Sequence, residues 1–114
     1  MFKGLGGLAD MGKMMKAAQD MQTKMVELQE ELGHMTVVGE SGAGLVKATS
    51  TAKGELVGLD INPTIFNPDE KEVVEDLILA AIKDAQSKAA EKNQDEMRKL
   101  TEEMGLPADM KLSF

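Results

Sequence analysis

Residues 34–62 read HMTVVGE, SGAG, LVKATST, AKG and ELVGLDIN in that order, which gives three short apolar stretches separated by two turn segments. The apolar stretches contain many β-branched residues, which favour strands. Glycines in both turn segments allow the positive φ angles that tight turns require. The sequence therefore predicts a meander of three antiparallel strands at His34–Glu40, Leu45–Thr51 and Glu55–Asn62.

The third stretch also indicates an apolar face. Val57, Leu59 and Ile61 are spaced two residues apart, so they are predicted to project from one side of the strand. Pro63 follows at once and ends the sheet, because proline cannot donate a ladder hydrogen bond. We expect these three side chains to lie in the core or in a dimer interface.

The segment before the sheet predicts a helix from Asp10, a residue type that caps helices, to Leu32, with Gly33 ending it. Its apolar residues recur at spacings of three and four, which is typical of a helix that packs along one stripe. The stripe consists of Met11, Met14, Ala18, Met21, Met25, Leu28 and Leu32. The glycine-rich segment 1–9 is predicted to be a flexible tail, since glycine loses much entropy on ordering.

The segment after the sheet predicts a second, longer helix. Asn67-Pro68 supplies a capping side chain and a proline at the first helical position, and Gly105 with Pro107 ends the helix near Met104. A helix from 68 to 104 is about 55 Å long, whereas a compact chain of this size has a radius of gyration of about 13 Å. The helix must therefore protrude or break near Lys92-Asn93-Gln94, and segment 105–114 is predicted to be a tail.

These elements predict one α+β domain over residues 1–114 with the order α-β-β-β-α. A lone three-stranded sheet leaves open edges and an apolar face to be covered. The methionine stripe also needs a partner. Both features favour a homodimer, because two-fold symmetry is the commonest way to close such surfaces. We expect its core or interface to contain Met14, Met21, Met25, Leu28, Val57, Leu59 and Ile61.

The formal net charge of −7 is unevenly distributed. Residues 1–26 carry four lysines and two aspartates, residues 55–79 carry seven acids and one lysine, and residues 80–99 carry five bases and four acids. The first helix is therefore basic and the middle of the chain is acidic. With no signal-peptide pattern and no stretch near the ~18–20 apolar residues that span a bilayer, we expect a cytoplasmic protein without a membrane segment.

Candidate catalytic and metal sites are poor. The chain has no cysteine and a single histidine, His34, which is interpreted as a helix-end or strand-start residue. The glycines of 39–44 lack the Gly-Lys-Ser/Thr ending of a phosphate loop and favour a hairpin turn. The methionines match a hydrophobic seam better than a Cu(I) site, and the acids of 69–76 complement a helix N-terminus. We therefore expect no enzyme, metal, cofactor or small-molecule substrate.

Two sets of basic residues allow a nucleic-acid interpretation. Lys13, Lys16 and Lys24 fall within an arc of about 80° on the first helix, and the second set is Lys88, Lys92, Arg98 and Lys99. They either contact phosphates or are solvated, with Asp84–Lys88 and Asp95–Lys99 predicted as i,i+4 ion pairs. The residues alone leave both interpretations open. With one arginine and three aromatic residues, any nucleic acid would be duplex and read with little sequence preference.

Four stretches resemble the YbaB/EbfC family of bacterial nucleoid-associated proteins. They are Met14–Met25 in the first helix, Gly39–Lys47 in the hairpin, Leu59-Asp60-Ile61-Asn62-Pro63 at the end of the sheet, and Glu75–Ala81 in the long helix. The resemblance covers nearly the whole chain in order. Asn62 stands where the family more often has Asp, and the tail lacks the family's second Pro-Gly step and the Pro before the final Phe.

The resemblance implies a tweezer-shaped homodimer that binds double-stranded DNA, bends or compacts it and affects gene expression in the nucleoid, without a cofactor. The two basic sets would then contact phosphates. The alternative from the residues is a protein-interaction module in DNA recombination or repair, whose helical arms would grip a partner through the adaptable methionine seam.

Overall fold

In a computed structural model of the chain, backbone structure is described for residues 3–105 and side-chain environment for residues 10–105. Helix α1 (Lys3–His34) is followed by strands β1 (Thr36–Ser41), β2 (Val46–Thr51) and β3 (Leu56–Ile61), and then by helix α2 (Lys71–Glu103). Short 3-10 turns occupy Gly42–Gly44, Pro63–Ile65 and Pro68–Glu70. This is the predicted α-β-β-β-α order, and neither long helix has an apolar stretch that could cross a membrane.

Helix α1 begins at Lys3 and not at Asp10. Once a helix is nucleated, each added residue gains a hydrogen bond, so its extension through glycines costs only about 1 kcal/mol per glycine relative to alanine. The flexibility of segment 1–9 stays a prediction. Of the predicted tail 105–114, the residues from 106 onward lie outside the described part.

Helix α2 is continuous past Ala90, so of the two alternatives the helix protrudes and does not break. The side chain of Asn67 accepts a hydrogen bond from the backbone N–H of Asp69 at 3.1 Å, but it caps the 3-10 turn Pro68–Glu70 and not the long helix as predicted. Helix α2 itself begins at Lys71, after Glu70, whose side chain makes no capping hydrogen bond. Gly105 ends the helix with φ +74°, a conformation that suits glycine. The protein is correspondingly slender, with a radius of gyration of 21.8 Å and extents of 84 × 22 × 17 Å.

The three strands form an antiparallel sheet in the order β1-β2-β3, as predicted. The hairpin 41–44 is a turn and leads into a strand, as the lack of a phosphate-loop ending indicated. The register pairs Ala48 with Leu59 and Ser50 with Leu56, which leaves one extra residue in β3. This bulge corrects the predicted simple alternation of Val57, Leu59 and Ile61, because Leu56 takes the position opposite Ser50 that alternation would give to Val57.

Helix α2 packs on the sheet at very short range over β1 and β2. Gly39 makes this possible, because a Cβ on Gly39 would lie 2.5 Å from the carbonyl oxygen of Ala81 and closer still to the backbone nitrogen of Ala85. Ala81 and Ala85 face Val46 and Ala48 in the core of the sheet. We call the sheet together with residues 71–89 of α2 the base.

Beyond the base, residues 90–103 of α2 pack on α1. Leu28 and Leu32 of α1 form a second buried cluster with Leu100 and with Ala52, which lies in the turn between β2 and β3. The side-chain amide of Asn93 also donates to the carbonyl oxygen of Ala52 at 3.2 Å. We call α1 together with residues 90–103 of α2 the arm.

Candidate nucleic-acid interface

The end of α2 is fixed against the middle of α1. Lys24 Nζ lies 3.4 Å from Glu103 Oε1, and Glu103 is the last residue of α2. Residues of α1 that precede Lys24 therefore extend past the end of α2. All residues from Asp10 to Asp20 are exposed. We call residues 10–23 of α1 the overhang.

The basic residues predicted on α2 are all engaged with acids of the same helix. Lys92 and Lys99 both pair with Glu96, at 3.3 and 3.1 Å, and Arg98 pairs with Asp95 at 3.4 Å. The predicted Asp95–Lys99 pair is therefore wrong, because Glu96, one residue nearer, takes the ammonium of Lys99 and leaves Asp95 to Arg98. These pairs hold the basic groups along the surface of the arm.

Glu96 is the most enclosed of these acids, with a side chain only 13% exposed. Hydrogen bonding from Lys99 lowers the pKa of its carboxyl, burial opposes this to a smaller extent, and hydrogen bonding from Lys92 adds to the lowering, so the pKa lies below the usual range. Glu96 thus stays ionised and keeps both lysines beside it.

Lys88 is engaged at the junction of the base and the arm. Its ammonium lies 3.1 Å from Asp84, the predicted i,i+4 pair, and donates to the carbonyl oxygen of Val38 at 3.1 Å. The backbone N–H of Glu40 donates to the same Asp84 carboxylate at 2.9 Å. This hydrogen bond, followed by that from Lys88, lowers the pKa of Asp84.

Lys13 and Lys16 differ from the other five predicted basic residues. Both lie in the overhang and are exposed, and neither forms an ion pair with any residue of the described part of the chain. Because successive residues of a helix are rotated by about 100°, their side chains project from the same side of α1 as the side chain of Lys24. The structure therefore does not present the seven predicted basic residues as one equivalent set.

The predicted core residues are also divided. Leu28 is buried, Met21, Met25 and Ile61 are half-buried, and Met14 is 71% exposed in the overhang. Val57 and Leu59 are exposed on β3, which α2 does not cover. His34 is the exposed last residue of α1, as interpreted from the sequence.

Sequence reasoning found Asp84 as the partner of Lys88 but missed the acids that bind the other lysines. Glu96 was detectable, because it stands four residues after Lys92 and three before Lys99. Glu103 was not detectable, because it is 79 residues from Lys24 in the sequence.

A comparison with protein families matches residues 6–104 to the YbaB/EbfC DNA-binding family. The chain belongs to this family. A nucleoid-associated protein of Nitrobacter hamburgensis is 44% identical over 105 residues, which covers 92% of this chain and 99% of that protein. The crystal structure of an uncharacterized protein from Helicobacter pylori has the same fold, with a TM-score of 0.62 and 24% identity over 88% of this chain and 96% of that one.

Membership of the YbaB/EbfC family confirms the resemblance found in the sequence and gives DNA binding as the family's described activity. It does not favour the alternative of a protein-interaction module. Among the described residues no three His, Asp or Glu side chains are grouped to hold a metal ion. The surface of interest is therefore the arm and its overhang.

Proposed function

We propose that this YbaB/EbfC protein is a nucleoid-associated protein that binds duplex DNA as a homodimer, with little sequence specificity, and changes the conformation of the DNA. The observation that carries the proposal is the overhang, where Lys13 and Lys16 are exposed without an ion pair among the described residues. Family membership and the nucleoid-associated relative support DNA as the partner. On this proposal the protein is located in the nucleoid of the cytoplasm.

The charge distribution supports a binding mode in which the arm and not the base approaches DNA. The segment 1–26 carries two more lysines than acids, whereas 55–79, in the base, carries six more acids than lysines. Phosphates are therefore attracted to the overhang and repelled from the base. Ammonium groups contact phosphates without reading bases, so such contacts give little sequence preference.

A dimer is needed because the two lysines of one overhang contact too few phosphates to bind DNA with useful affinity. The exposed apolar residues of strand β3 suggest that a second copy of the chain packs on the base. Leu56, Val57 and Leu59 are large, apolar and exposed, because α2 packs on the other two strands. Burial of apolar area contributes about 25 cal/mol per Å². Two overhangs held in this way would straddle a duplex, which favours bending it.

The DNA proposal is tested by fluorescence anisotropy with a labelled duplex across a salt series. If Lys13 and Lys16 of two protomers neutralise four phosphates, affinity falls about a hundredfold between ~50 and ~200 mM salt. Lys13→Glu/Lys16→Glu removes most of this dependence and weakens binding strongly. The matched control is Lys53→Glu/Lys83→Glu, which makes the same charge change at exposed positions outside the overhang. Equal losses in both variants, or binding indifferent to salt, would contradict the proposal.

The dimer is tested by sedimentation equilibrium of Leu59→Asp. Leu59 is 45% exposed on β3, and Val38 is 44% exposed on the opposite face of the sheet, so Val38→Asp is a matched control. We expect Leu59→Asp to shift the protein to monomer, since a charge in an apolar interface stays unpaired, and Val38→Asp to remain dimeric. A wild-type monomer at micromolar concentration would overturn the dimer.

A further inference from the structure

The apolar stripe of α1 continues past the point where its partner helix ends. In the arm, Leu28 and Leu32 are covered by Leu100 of α2, and Met25 packs partly against the same cluster. Toward the N-terminus the stripe continues through the half-buried Met21 and the exposed Ala18. It ends at Met14 and Met11, which are 71% and 60% exposed. The overhang thus presents an apolar helix face in line with a packed one but without a partner in the described residues.

The chain itself supplies a segment at that point. Helix α2 ends at Glu103 beside Lys24. Met104 then packs on the buried cluster of Leu28, Leu32, Ala52 and Leu100, which we call the arm cluster. Gly105 turns the backbone with φ +74°. The nine residues that follow are LPADMKLSF, from Leu106 to Phe114. Pro107 prevents these residues from continuing α2.

The composition of this segment fits an apolar helix face. Met110, Leu112 and Phe114 alternate with Asp109, Lys111 and Ser113. In an extended chain such alternation places the three apolar side chains on one side and the three polar ones on the other. The sequence of this segment therefore predicts that, when extended, it has one apolar side and one polar side, which we call its apolar edge and its polar edge.

The lengths also agree. From Lys24, where α2 ends, to Met14 is about 15 Å along α1 at the rise of a helix. Nine extended residues reach about 30 Å, which is enough to pass Met21 and Ala18 and to cover Met14. The basic face of α1 is left open, because Lys13 and Lys16 point about 100–160° away from Met14 around the helix.

We propose that residues 106–114 dock in an extended conformation along the overhang of the same chain, with Met110, Leu112 and Phe114 covering the stripe at Met21, Ala18 and Met14. The tail then packs on α1 as a third segment of the arm, after α1 itself and residues 90–103 of α2. It stabilises the part of α1 that carries Lys13 and Lys16 but leaves these two lysines exposed. This inference goes beyond DNA binding and does not depend on it.

The test uses the full-length protein, whose lack of cysteine allows a single spin label. A nitroxide on Lys111→Cys, on the polar edge of the tail, is combined with NMR detection of the methionine methyl groups. We expect the Met14 and Met21 signals to be strongly broadened, and that of Met35, in the base end of the arm cluster, to be unaffected. Unbroadened Met14 and Met21 signals would overturn the proposal.

Variants separate docking from mere proximity. Leu112→Asp should restore the Met14 signal, because a carboxylate is costly against an apolar face. Ser113→Asp introduces the same charge on the polar edge and should leave the broadening intact. If both variants behave alike, the apolar edge does not hold the tail and the proposal fails.

A mixed sample distinguishes the second copy as the acceptor. Spin-labelled protein with unlabelled methyl groups is mixed with methyl-labelled protein that carries no nitroxide, under conditions of subunit exchange. Docking within one chain predicts no broadening of Met14 in this mixture, whereas broadening there would assign the tail to the partner's overhang and overturn the proposal. DNA binding, measured separately, is expected to survive Leu112→Asp, so the two proposals fail independently.

Discussion

The two halves of α2 pack by different physical means although they form one continuous helix. In the base, small side chains bring the helix backbone against Gly39, and Ala81, Ala85 and Ala89 are fully buried. In the arm, a large side chain, Leu100, reaches across to Leu28 and Leu32. The first contact leaves no room for an added methyl group, whereas the second is filled by long, adaptable side chains.

The difference extends to charge. In the arm half of α2, Lys92, Arg98 and Lys99 are each held by an acid of the same helix. A lysine count along the sequence therefore overstates what this half offers to DNA. Of the seven predicted basic residues, only Lys13 and Lys16, on the overhang of α1, form no ion pair with a described residue.

The largest effect is expected for Gly39→Ala in the base half. The new Cβ would overlap backbone atoms of Ala81 and Ala85, which cannot rotate away, so we expect a loss of about 3 kcal/mol or more in the free energy of unfolding. Urea denaturation followed by circular dichroism measures it. Gly58→Ala is the matched control, since its Cβ would meet Thr49 Cβ at an ordinary 3.5 Å. Equal midpoints for the two variants would contradict the close packing of the base.

A smaller loss is expected for Leu100→Ala in the arm half. Leu100 is 6% exposed, and truncation of a buried leucine costs about 2–4 kcal/mol, toward the low end where neighbours such as Met97 adapt. Amide hydrogen exchange should accelerate in residues 24–34 of α1 while the amides of β2 keep their protection. Val26→Ala, at an exposed position of α1, should change neither. Uniform acceleration throughout the chain would show that base and arm unfold as one unit.

Removal of the acid that holds two lysines should change DNA affinity modestly. Glu96→Gln frees the ammonium groups of Lys92 and Lys99, and we expect a gain of roughly two- to fivefold at low salt, the size of one or two added phosphate contacts. Glu91→Gln makes the same charge change on the same helix, where Glu91 forms no ion pair among the described residues. Equal gains would show that only net charge matters and not the release of lysines.

The smallest effect concerns acid pH. The pKa of Asp84 is lowered by the backbone N–H of Glu40 and by Lys88. A carboxylate with a lowered pKa in the folded protein stabilises the fold above its unfolded pKa, and this contribution disappears as pH falls below about 4 through the folded pKa. Asp84→Asn should therefore show a smaller decrease of the urea midpoint between neutral pH and pH of about 3 than the wild type. An identical decrease in both proteins would show that ionised Asp84 does not contribute to the pH dependence of stability.

The order of elements was predictable because its signals are local. The glycines of the turns, Asn67-Pro68 and Gly105 mark boundaries through backbone geometry, and the spacing of Met25, Leu28 and Leu32 reports one helix face. The continuity of α2 was left open because Asn93 only weakens a helix, and its side chain proved to bind Ala52. Local signals of this kind carry over directly from sequence to fold.

The details of the site depended on partners distant in sequence. The bulge in β3 arises where it pairs with Ser50, and the requirement for glycine at position 39 arises from a helix that begins 32 residues later. The distinction between Lys24 and Lys16 depends on where α2 ends, at Glu103. The periodicity of a single helix contains no information about such partners, so it could not distinguish one predicted basic residue from another.

The slender shape sets a scale for occupancy along DNA. The long axis of 84 Å corresponds to about 25 base pairs at the ~3.4 Å spacing of a duplex. A protomer lying along the groove would exclude neighbours over more than two helical turns, whereas a protomer standing upright on its overhang would occupy only a few base pairs. The number of copies that saturate a long duplex therefore reports the orientation of the protein directly.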